Sequence, residues 1–410
     1  MRLALRRIWR VIPLVSLSIV VAQLVATLGL TAAESRRKKR RKLRRFPHTT
    51  PEPVAVGQDT ITVYTYGQDL YDDMLASIHS AKAVIFFETF IWKSDEVGSE
   101  FKQALIDAAE RGVRVYVIWD GFANLVVPSS FFRLPGSIAA YRLPVLPLPW
   151  SPRTWGRDHR KLLVVDGVVG FLGGYNIGSL YATGWRDTHA RIEGPAVADI
   201  ENAFIDFWNV HAKQSLGVEL ASEMRRPWNA TIQLHRNTPR IQVYPIRNMY
   251  LEAIDRASVR IWLTHAYLIP DDDLIFALVE AVERGVDVRI IVPAESNHVV
   301  ADWLSRVSYH ALLSRGVRVF LYQNAMVHAK TATIDSVWST IGTANIDRIS
   351  LLGNYEINIE VFSAEVARQL EAIFEVDRSN SRQLSATEWG GRHAMVKFSE
   401  TVLAPLRPLL

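Results

Sequence analysis

Two short segments of the chain carry a histidine, a lysine and an aspartate at the same spacing. The first contains His159, Lys161 and Asp166. The second contains His328, Lys330 and Asp335. A histidine can act as a nucleophile or exchange a proton with a reacting group. Each segment therefore offers a nucleophile or an acid beside a fixed positive charge.

The apolar residues within each segment indicate a buried strand. Side chains alternate along a strand, so a histidine and the lysine two residues later face the same way. We include Asp166 and Asp335 among the candidate catalytic residues, although they have the opposite parity and come at the strand end. That position favours holding a turn over touching a substrate.

A glycine-rich turn that ends in an asparagine follows each segment. The first turn runs from Gly173 to Asn176 and the second from Gly342 to Asn345. Glycine allows close approach of the backbone, and the asparagine adds an amide donor. One copy alone would fit a structural histidine in a strand. The histidines (159 and 328) and the asparagines (176 and 345) share an offset of 169 residues, which argues against coincidence.

The elements around these segments are also repeated. In both copies an amphipathic helix ends at a glycine, Gly112 or Gly285, and an apolar strand follows. The alternation of helix and strand predicts an α/β fold built from two halves with largely buried sheets. Four strands are predicted in matching pairs: Ala83–Phe87 with Val259–Leu263, and Val115–Trp119 with Val288–Val292.

The duplicated pattern resembles that of the phospholipase D superfamily, and within it most resembles the bacterial cardiolipin synthases. The likeness extends over roughly residues 60–390. It implies two pseudo-symmetric phospholipase D-like α/β sandwich halves packed around one shared active site, after an N-terminal transmembrane helix. The supporting segments are Phe87–Trp92, Trp185–Thr188, Arg191–Pro195, Tyr267–Pro270 and Gly353–Glu356.

The resemblance implies that one histidine attacks phosphorus and forms a phosphohistidine, while the other protonates the leaving alcohol and then deprotonates the incoming one. We assign His159 as the nucleophile and His328 as the acid/base, an order that the symmetry of the sequence leaves open. No metal or other cofactor is expected, because the lysines supply the charge. Four residues would bind the non-bridging phosphate oxygens: Lys161, Lys330, Asn176 and Asn345.

Each catalytic histidine is expected to have an acid that orients it. Asp187 and Glu356 occupy matching positions after the glycine-rich turns, again 169 residues apart. We predict that Asp187 orients His159 and that Glu356 orients His328. The alternative is that either acid is a surface or structural carboxylate.

The positive charge of the chain is concentrated at its N-terminus. The chain has a net charge of +5, yet residues 1–45 contain thirteen Lys or Arg and one acid, Glu34, so the remainder is acidic. Residues 11–33 are uncharged and span roughly 35 Å as a helix, enough to cross a bilayer. We predict a single transmembrane anchor, with a cleaved signal peptide as the alternative.

The basic cluster at residues 36–45 follows this segment and exceeds the four arginines before it. The positive-inside rule then places the catalytic body in the cytoplasm, at the inner cell membrane. The cluster would also attract anionic lipid headgroups.

Residues 126–155 of the first half are apolar and rich in proline, which fits a packed surface loop or a lip that touches the membrane.

We divide the chain into five parts. The parts are a membrane anchor with its basic cluster (1–45), a linker (46–57), a first half (58–220), a second half (221–390) and a C-terminal tail (391–410).

Composition excludes several classes of function. The chain has no cysteine, which excludes disulfides, thiol catalysis and cysteine-ligated zinc. The acidic body disfavours a nucleic-acid partner, because such proteins usually spread basic residues over the binding face.

The expected function is transfer of a phosphatidyl group between two phosphatidylglycerol molecules, with release of glycerol. The expected partners are phospholipid substrate and the membrane. Three alternatives stay open: a phospholipase D that forms phosphatidic acid, a nuclease of the same superfamily, and a membrane scaffold with a degenerate site.

Overall fold

The computed structural model describes most of the body of the chain. Four parts of the chain lie outside the described residues: nearly all of the predicted membrane anchor, nearly all of the basic cluster, residues 146–155 of the proline-rich stretch and the tail beyond 391. Among the residues that are described, no helix is both long and apolar enough to cross a bilayer. The described residues are 29, 32, 45–145, 156–221, 228, 231–297 and 299–391.

The first half contains nine strands and five α-helices within the described residues. The strands are β1 Pro53–Val56, β2 Asp59–Tyr64, β3 Val84–Thr89, β4 Arg114–Asp120, β5 Ile138–Leu143, β6 Leu162–Val165, β7 Val169–Gly173, β8 Trp185–Arg186 and β9 His189–Glu193. The helices are α1 Gly67–Ser80, α2 Glu96–Glu110, α3 Ser179–Thr183, α4 Val197–His211 and α5 Lys213–Leu216, and a short 3-10 turn spans Ser129–Phe132.

The second half follows with nine more strands and six more α-helices in the described part. The strands are β10 Ile232–Asn237, β11 Arg260–His265, β12 Asp287–Pro293, β13 Arg318–Tyr322, β14 Met326–Val327, β15 Lys330–Ile334, β16 Trp338–Gly342, β17 Glu356–Phe362 and β18 Ser381–Leu384. The helices are α6 Pro245–Arg256, α7 Asp272–Glu283, α8 Val299–Ser314, α9 Arg348–Leu352, α10 Ala364–Ser379 and α11 Ala386–Gly390, and a 3-10 turn spans Pro239–Ile241.

Each half builds one eight-stranded mixed sheet. The orders are β1-β2-β9-β7-β6-β3-β4-β5 and β10-β17-β16-β15-β11-β12-β13-β18. Seven strands have the same order in both sheets, and only the additional edge strand, β1 or β18, differs. The predicted α/β class and the four predicted strands are confirmed.

The repeated helices begin and end through the same local chemistry. The carboxylate of Asp95 accepts the backbone N–H of Gly98 at the start of α2, and Asp271 accepts that of Leu274 at the start of α7, each at 3.0 Å. Both helices are followed by a glycine with positive φ, +91° at Gly112 and +90° at Gly285. The chain therefore turns sharply into the parallel strands β4 and β12.

The two sheets share a core. A cluster of buried apolar residues joins β2, β6 and α4 of the first half to β17 and α10 of the second. Separate clusters lie on the outer faces, under α1 and α2 in the first half and under α6 and α7 in the second. The halves are therefore layered against each other, and the edge where both sheets meet can hold a site formed by both.

Residues 46–57, which we expected to be a linker, pack against the body. Pro53–Val56 forms β1 and pairs with β2. Phe46 is buried in a cluster with Trp262 and Phe374 of the second half. This segment therefore touches both halves, which local proline content does not indicate.

Asp166 and Asp335 hold turns at the far ends of the strands that follow the two motif histidines. Both have positive φ, 53° and 52°, in the tight turns β6–β7 and β15–β16. Asp166 accepts the backbone N–H groups of residues 82, 83 and 84, each at 2.8 Å. Asp335 accepts those of residues 258, 259 and 260. Their inclusion as catalytic residues was wrong, and the parity argument for a turn is confirmed.

Replacing Asp166 with alanine removes the acceptor of three backbone N–H groups. We expect the free energy of unfolding to fall by about 1.5–3 kcal/mol, the usual scale for losing hydrogen bonds to a charged group. Urea denaturation of the full chain in detergent would measure it. Asp107→Ala is the matched control, because Asp107 accepts a single exposed bond from Gln103. A loss at Asp166 no larger than that of the control would contradict this role.

Candidate active site

Two short parallel pairings between the halves place the histidines. Arg186 of β8 pairs with Val327 of β14, and Asp158 pairs with Tyr355 in the same way. As a result, the backbone N–H of His328 donates to the carbonyl of Arg186 at 2.6 Å, and that of His159 donates to the carbonyl of Tyr355 at 3.0 Å. Each histidine is thus held by the backbone of the opposite half.

These backbone pairings reverse the predicted pairing of histidines with acids. His159 Nδ1 lies 2.9 Å from Glu356 Oε2, and His328 Nδ1 lies 2.5 Å from Asp187 Oδ2. Our prediction of pairs within one half was wrong. The reason is that the residue before each acid pairs with the segment that leads into the histidine of the other half. Both acids do contact one of the two motif histidines, as expected.

The two lysines lie beside their histidines, as strand alternation predicts. Lys161 Nζ donates to the carbonyl of His159 at 2.6 Å and lies 5.1 Å from the centre of the Phe90 ring. Lys330 Nζ lies 2.8 Å from His328 Nδ1. Both lysines are buried, with exposures of 2% and 0%. Two cations, two imidazoles and two carboxyl groups therefore share one site.

The asparagines of the glycine-rich turns are also buried at this edge of the sheets. Asn176 Oδ1 accepts the backbone N–H of Ile91 at 3.1 Å, which leaves its amide nitrogen for another partner. Asn345 Oδ1 is buried and has no hydrogen-bond partner among the described residues. Their binding of phosphate stays a prediction.

The turns differ where they meet the acids. A Cβ atom at Gly174 would lie 2.0 Å from Asp187 Oδ1, so only glycine fits there. The equivalent residue of the second half is Thr343, whose hydroxyl donates to Glu356 Oε2 at 2.5 Å. The two half-sites are thus similar in shape but not in the hydrogen bonding of their acids.

Burial in the site keeps the imidazoles neutral. It lowers the pKa of His159 well below its ordinary value, and the positive charges of Lys161 and Lys330 lower that pKa further. Burial, together with Lys330, lowers the pKa of His328 to about 3, although Asp187 opposes the shift. A neutral imidazole with an orienting acid at Nδ1 presents Nε2 for chemistry.

The acids and lysines respond to the same dry environment. Burial raises the pKa of Glu356 to about 8, although Lys161 acts in the opposite direction. Burial would also raise the pKa of Asp187, but Lys330 and His328 outweigh it, so that pKa is lowered and the group is ionised. Burial lowers the pKa of Lys161 to about 7 and that of Lys330 to about 8. An incoming anion would favour the charged form of both lysines.

A further shell of buried ion pairs supports the site, and sequence reasoning missed it. Arg186 makes two bonds to Asp377, at 2.9 and 2.7 Å, although 191 residues separate them. Arg160 Nη2 lies 2.5 Å from Glu88 Oε1 and its Nε lies 3.4 Å from Asp158. Arg186 lies within a segment that the resemblance singled out, but nothing local in the sequence indicates its partner.

Aromatic rings also border the histidines. The Phe90 ring centre lies 4.7 Å from that of His159, and the Trp185 ring centre lies 5.1 Å from that of His328.

Within the described part of the chain, no group of three or more His, Cys, Asp or Glu side chains is arranged to hold a metal ion.

Comparison with known families identifies the pattern. The family model described as "Cardiolipin synthase, PLD-like domain" matches residues 74–208 and 250–378, one match in each half. These matches include both histidine–lysine pairs and both orienting acids.

Individual relatives are similar over most of the chain. The chain is 32% identical to the major cardiolipin synthase of Bacillus subtilis (strain 168) over 369 residues, which cover 87% of this chain and 77% of the relative. It is 33% identical to cardiolipin synthase 1 of Staphylococcus aureus (strain COL) over 357 residues, which cover 84% and 72%.

The fold is also similar to that of a solved structure. The crystal structure of phosphatidylserine synthase from Haemophilus influenzae Rd KW20 matches with a TM-score of 0.64 at 14% identity. The match covers 91% of this chain and 96% of the other. At this identity the likeness concerns the fold alone.

The crossed pairing predicts separate responses of the two histidines. Glu356→Gln should shift the ring signals of His159 in histidine-selective NMR and leave those of His328 in place, because only His159 bonds to Glu356. Asp187→Asn should do the reverse. If each substitution moved the histidine of its own half instead, the crossed arrangement would be wrong.

The raised pKa of Glu356 predicts a dependence of stability on pH. An unfolded glutamate has a pKa of about 4.3, so between that value and about 8 the folded chain keeps a proton that the unfolded chain releases. Stability contributed at this position therefore falls as the pH rises through that window. Glu356→Gln removes this titration. The melting temperature of the variant minus that of the wild type should therefore be higher at pH 8 than at pH 5, by about 2 °C or more.

Glu365→Gln is the matched control for the pH experiment. Glu365 is exposed at the start of α10, and hydrogen bonds from the backbone, from Ser363 and from Arg368 lower its pKa. It is ionised throughout pH 5–8 in both states, so the difference between its melting temperature and that of the wild type should stay constant. Parallel pH profiles for Glu356→Gln and the wild type would contradict the raised pKa.

Proposed function

Because the chain belongs to the family of PLD-like cardiolipin synthase domains, we propose that it is a phosphatidyltransferase that converts two phosphatidylglycerol molecules into cardiolipin and glycerol. The observation that carries this proposal is the single site made of two histidine–lysine pairs, each histidine held by an acid of the other half. Such a site suits two successive displacements at one phosphorus atom.

In the first displacement, His159 Nε2 attacks the phosphorus of a bound phosphatidylglycerol. The P–O bond to the headgroup glycerol breaks. His328, which takes up a proton at Nε2 when the anionic phosphodiester enters the site, gives that proton to the departing oxygen. The phosphatidyl group is then bonded to His159. Asp187 is ionised and stabilises the positive charge that His328 carries as an acid.

In the second displacement, the headgroup hydroxyl of a second phosphatidylglycerol attacks the phosphohistidine. His328 takes the hydroxyl proton, and the P–N bond to His159 breaks. Cardiolipin leaves, and both histidines return to their starting state. His328 thus recovers in the second step the one proton that it gave in the first.

The lysines stabilise the phosphorus centre in both steps. Charge on the non-bridging oxygens persists through each transition state, and donors already in place stabilise it without reorganisation. Lys161 and Lys330 are held beside the histidines because each ammonium group donates to the backbone carbonyl of its own histidine. The amide groups of Asn176 and Asn345 are proposed as the remaining donors.

The substrate implies work at a membrane surface. We propose that residues 11–33 anchor the chain as a single-pass protein of the inner membrane, with the body in the cytoplasm and residues 36–45 near anionic headgroups. Three apolar side chains after β4, beside the active-site edge, support contact with lipid: Phe122, Leu125 and Val126 are 55%, 56% and 81% exposed.

The proposal predicts the products of a lipid assay. Full-length protein incubated with phosphatidylglycerol in detergent should form cardiolipin and glycerol, measured by mass spectrometry. His159→Ala and His328→Ala should each lose activity by at least on the order of 100-fold, because each removes an acid–base or nucleophilic group. Phosphatidic acid as the only lipid product would favour the hydrolase instead.

The same reactions test the order of the histidines. Quenched in base and digested, the protein should carry the phosphatidyl adduct on the peptide with His159. An adduct on the His328 peptide would reverse the assignment. His310→Ala is the control for nonspecific effects, because that histidine is exposed on α8.

A further inference from the structure

A cavity lies at the junction of the two halves, next to the pair of His159 and Glu356. It encloses about 370 Å³ between the end of α4 and the segment after β10. Cavities of this size can hold a small ligand. Arg160, which follows His159 in the chain, and Tyr355, which precedes Glu356, both form its wall. Since neighbouring side chains point to opposite sides of an extended segment, the cavity is separate from the catalytic centre.

The charges that line this cavity leave one cation uncompensated. Arg160 is paired with Glu88 and Asp158 in the protein interior. Arg236 Nη1 lies 2.7 Å from the carboxylate of Asp206 at the mouth. Arg240 is exposed at the mouth and has no ion-pair partner among the described residues. The cavity therefore suits a ligand with a single negative charge.

The inner wall offers a neutral hydrogen-bonding group. The ring of His211 packs against those of Phe207 and Tyr355, with centres 4.3 and 5.3 Å apart. Its Nε2 is buried and has no hydrogen-bond partner in the described part of the chain. Burial, with Arg160 and Arg240, lowers the pKa of His211 to about 4, so the ring is uncharged. A buried polar atom without a partner is costly and suits a ligand hydroxyl.

The mouth of the cavity is apolar on one side. Val210 and Ile241 line it and are 42% and 66% exposed. A small soluble anion would make no use of such a surface, whereas the glycerol and acyl part of an amphiphile would cover it.

We propose that this cavity binds the phosphodiester headgroup of an anionic phospholipid. Arg240 contacts the phosphate, His211 Nε2 bonds to a headgroup hydroxyl, and the apolar part covers Val210 and Ile241. A phosphodiester carries one negative charge, which matches the one uncompensated cation. The inference goes beyond the proposed function and rests on it for the identity of the lipid, because that reaction takes place among anionic phospholipids.

The cavity is coupled to the catalytic centre through Tyr355. Its side chain lines the cavity, while its carbonyl accepts the backbone N–H of His159 at 3.0 Å. A lipid in the cavity would therefore hold the strand segment that carries the His159–Glu356 pair. This lipid would therefore support the position of His159 without being the one that attacks the phosphohistidine, because the cavity is separate from the catalytic centre.

Histidine-selective NMR of the full chain in uncharged detergent tests the site. The probe is glycerophosphoglycerol, the headgroup without acyl chains, with inorganic phosphate and glycerol in parallel samples. The signals of His211, assigned by their loss in His211→Gln, should shift saturably with glycerophosphoglycerol. Arg240→Gln should weaken this binding at least tenfold, because it removes the one uncompensated charge.

A control variant and two alternative ligands test whether the binding is specific. Arg133→Gln removes an exposed arginine away from the cavity and should leave the affinity unchanged. Equal binding of inorganic phosphate would overturn the inference in favour of a simple anion site. Binding of glycerol alone, or no shift of His211 at saturating probe, would overturn it as well.

This test is independent of the proposed reaction. His211 lies outside the catalytic machinery, so its signals report binding even in a chain that transfers no lipid. Cardiolipin formation in the same preparation is measured separately. Retained transfer with no response of His211 would refute the cavity alone, and the opposite result would refute the transferase alone.

Discussion

The pairing of short backbone segments across the two halves is the constraint on which the rest of the site depends. His159 and His328 each donate the backbone N–H to a carbonyl of the opposite half, and the ring Nδ1 of each bonds to an acid of that half. Neither half can therefore complete its own histidine–acid pair. A site of this kind exists only when both sheets are folded and packed, which explains why one apolar core extends across both.

Removing water from this junction determines its electrostatics. Charged forms lose hydration there, so the imidazoles are neutral, and the pKa values of Lys161 and Lys330 fall to about 7 and 8. Buried charge persists only where it is paired, as in the bonds between Arg186 and Asp377. A phosphodiester entering the site would add negative charge beside both lysines, which makes the site complementary to its proposed substrate.

Duplication of the halves is close but not complete, and the differences are informative. Asp187 and Glu356 occupy equivalent positions, yet the first is ionised and the pKa of the second is raised to about 8. Gly174 opposite one acid corresponds to Thr343 opposite the other. Such asymmetry suits two histidines with different tasks. The cavity at Arg240 adds a further feature at the junction, and residues of both halves line it.

The sequence by itself determined the motif histidines and lysines, the repeated helices and strands and the turn role of Asp166, because strand alternation and helix capping are local effects. It also led to the correct orienting acids, since their offset repeats. Which acid faces which histidine, the burial of Phe46 and the pairing of Arg186 with Asp377 were decided by the tertiary structure alone. These contacts join residues far apart in the chain, and no spacing rule specifies which of two equivalent partners a packed interface brings near.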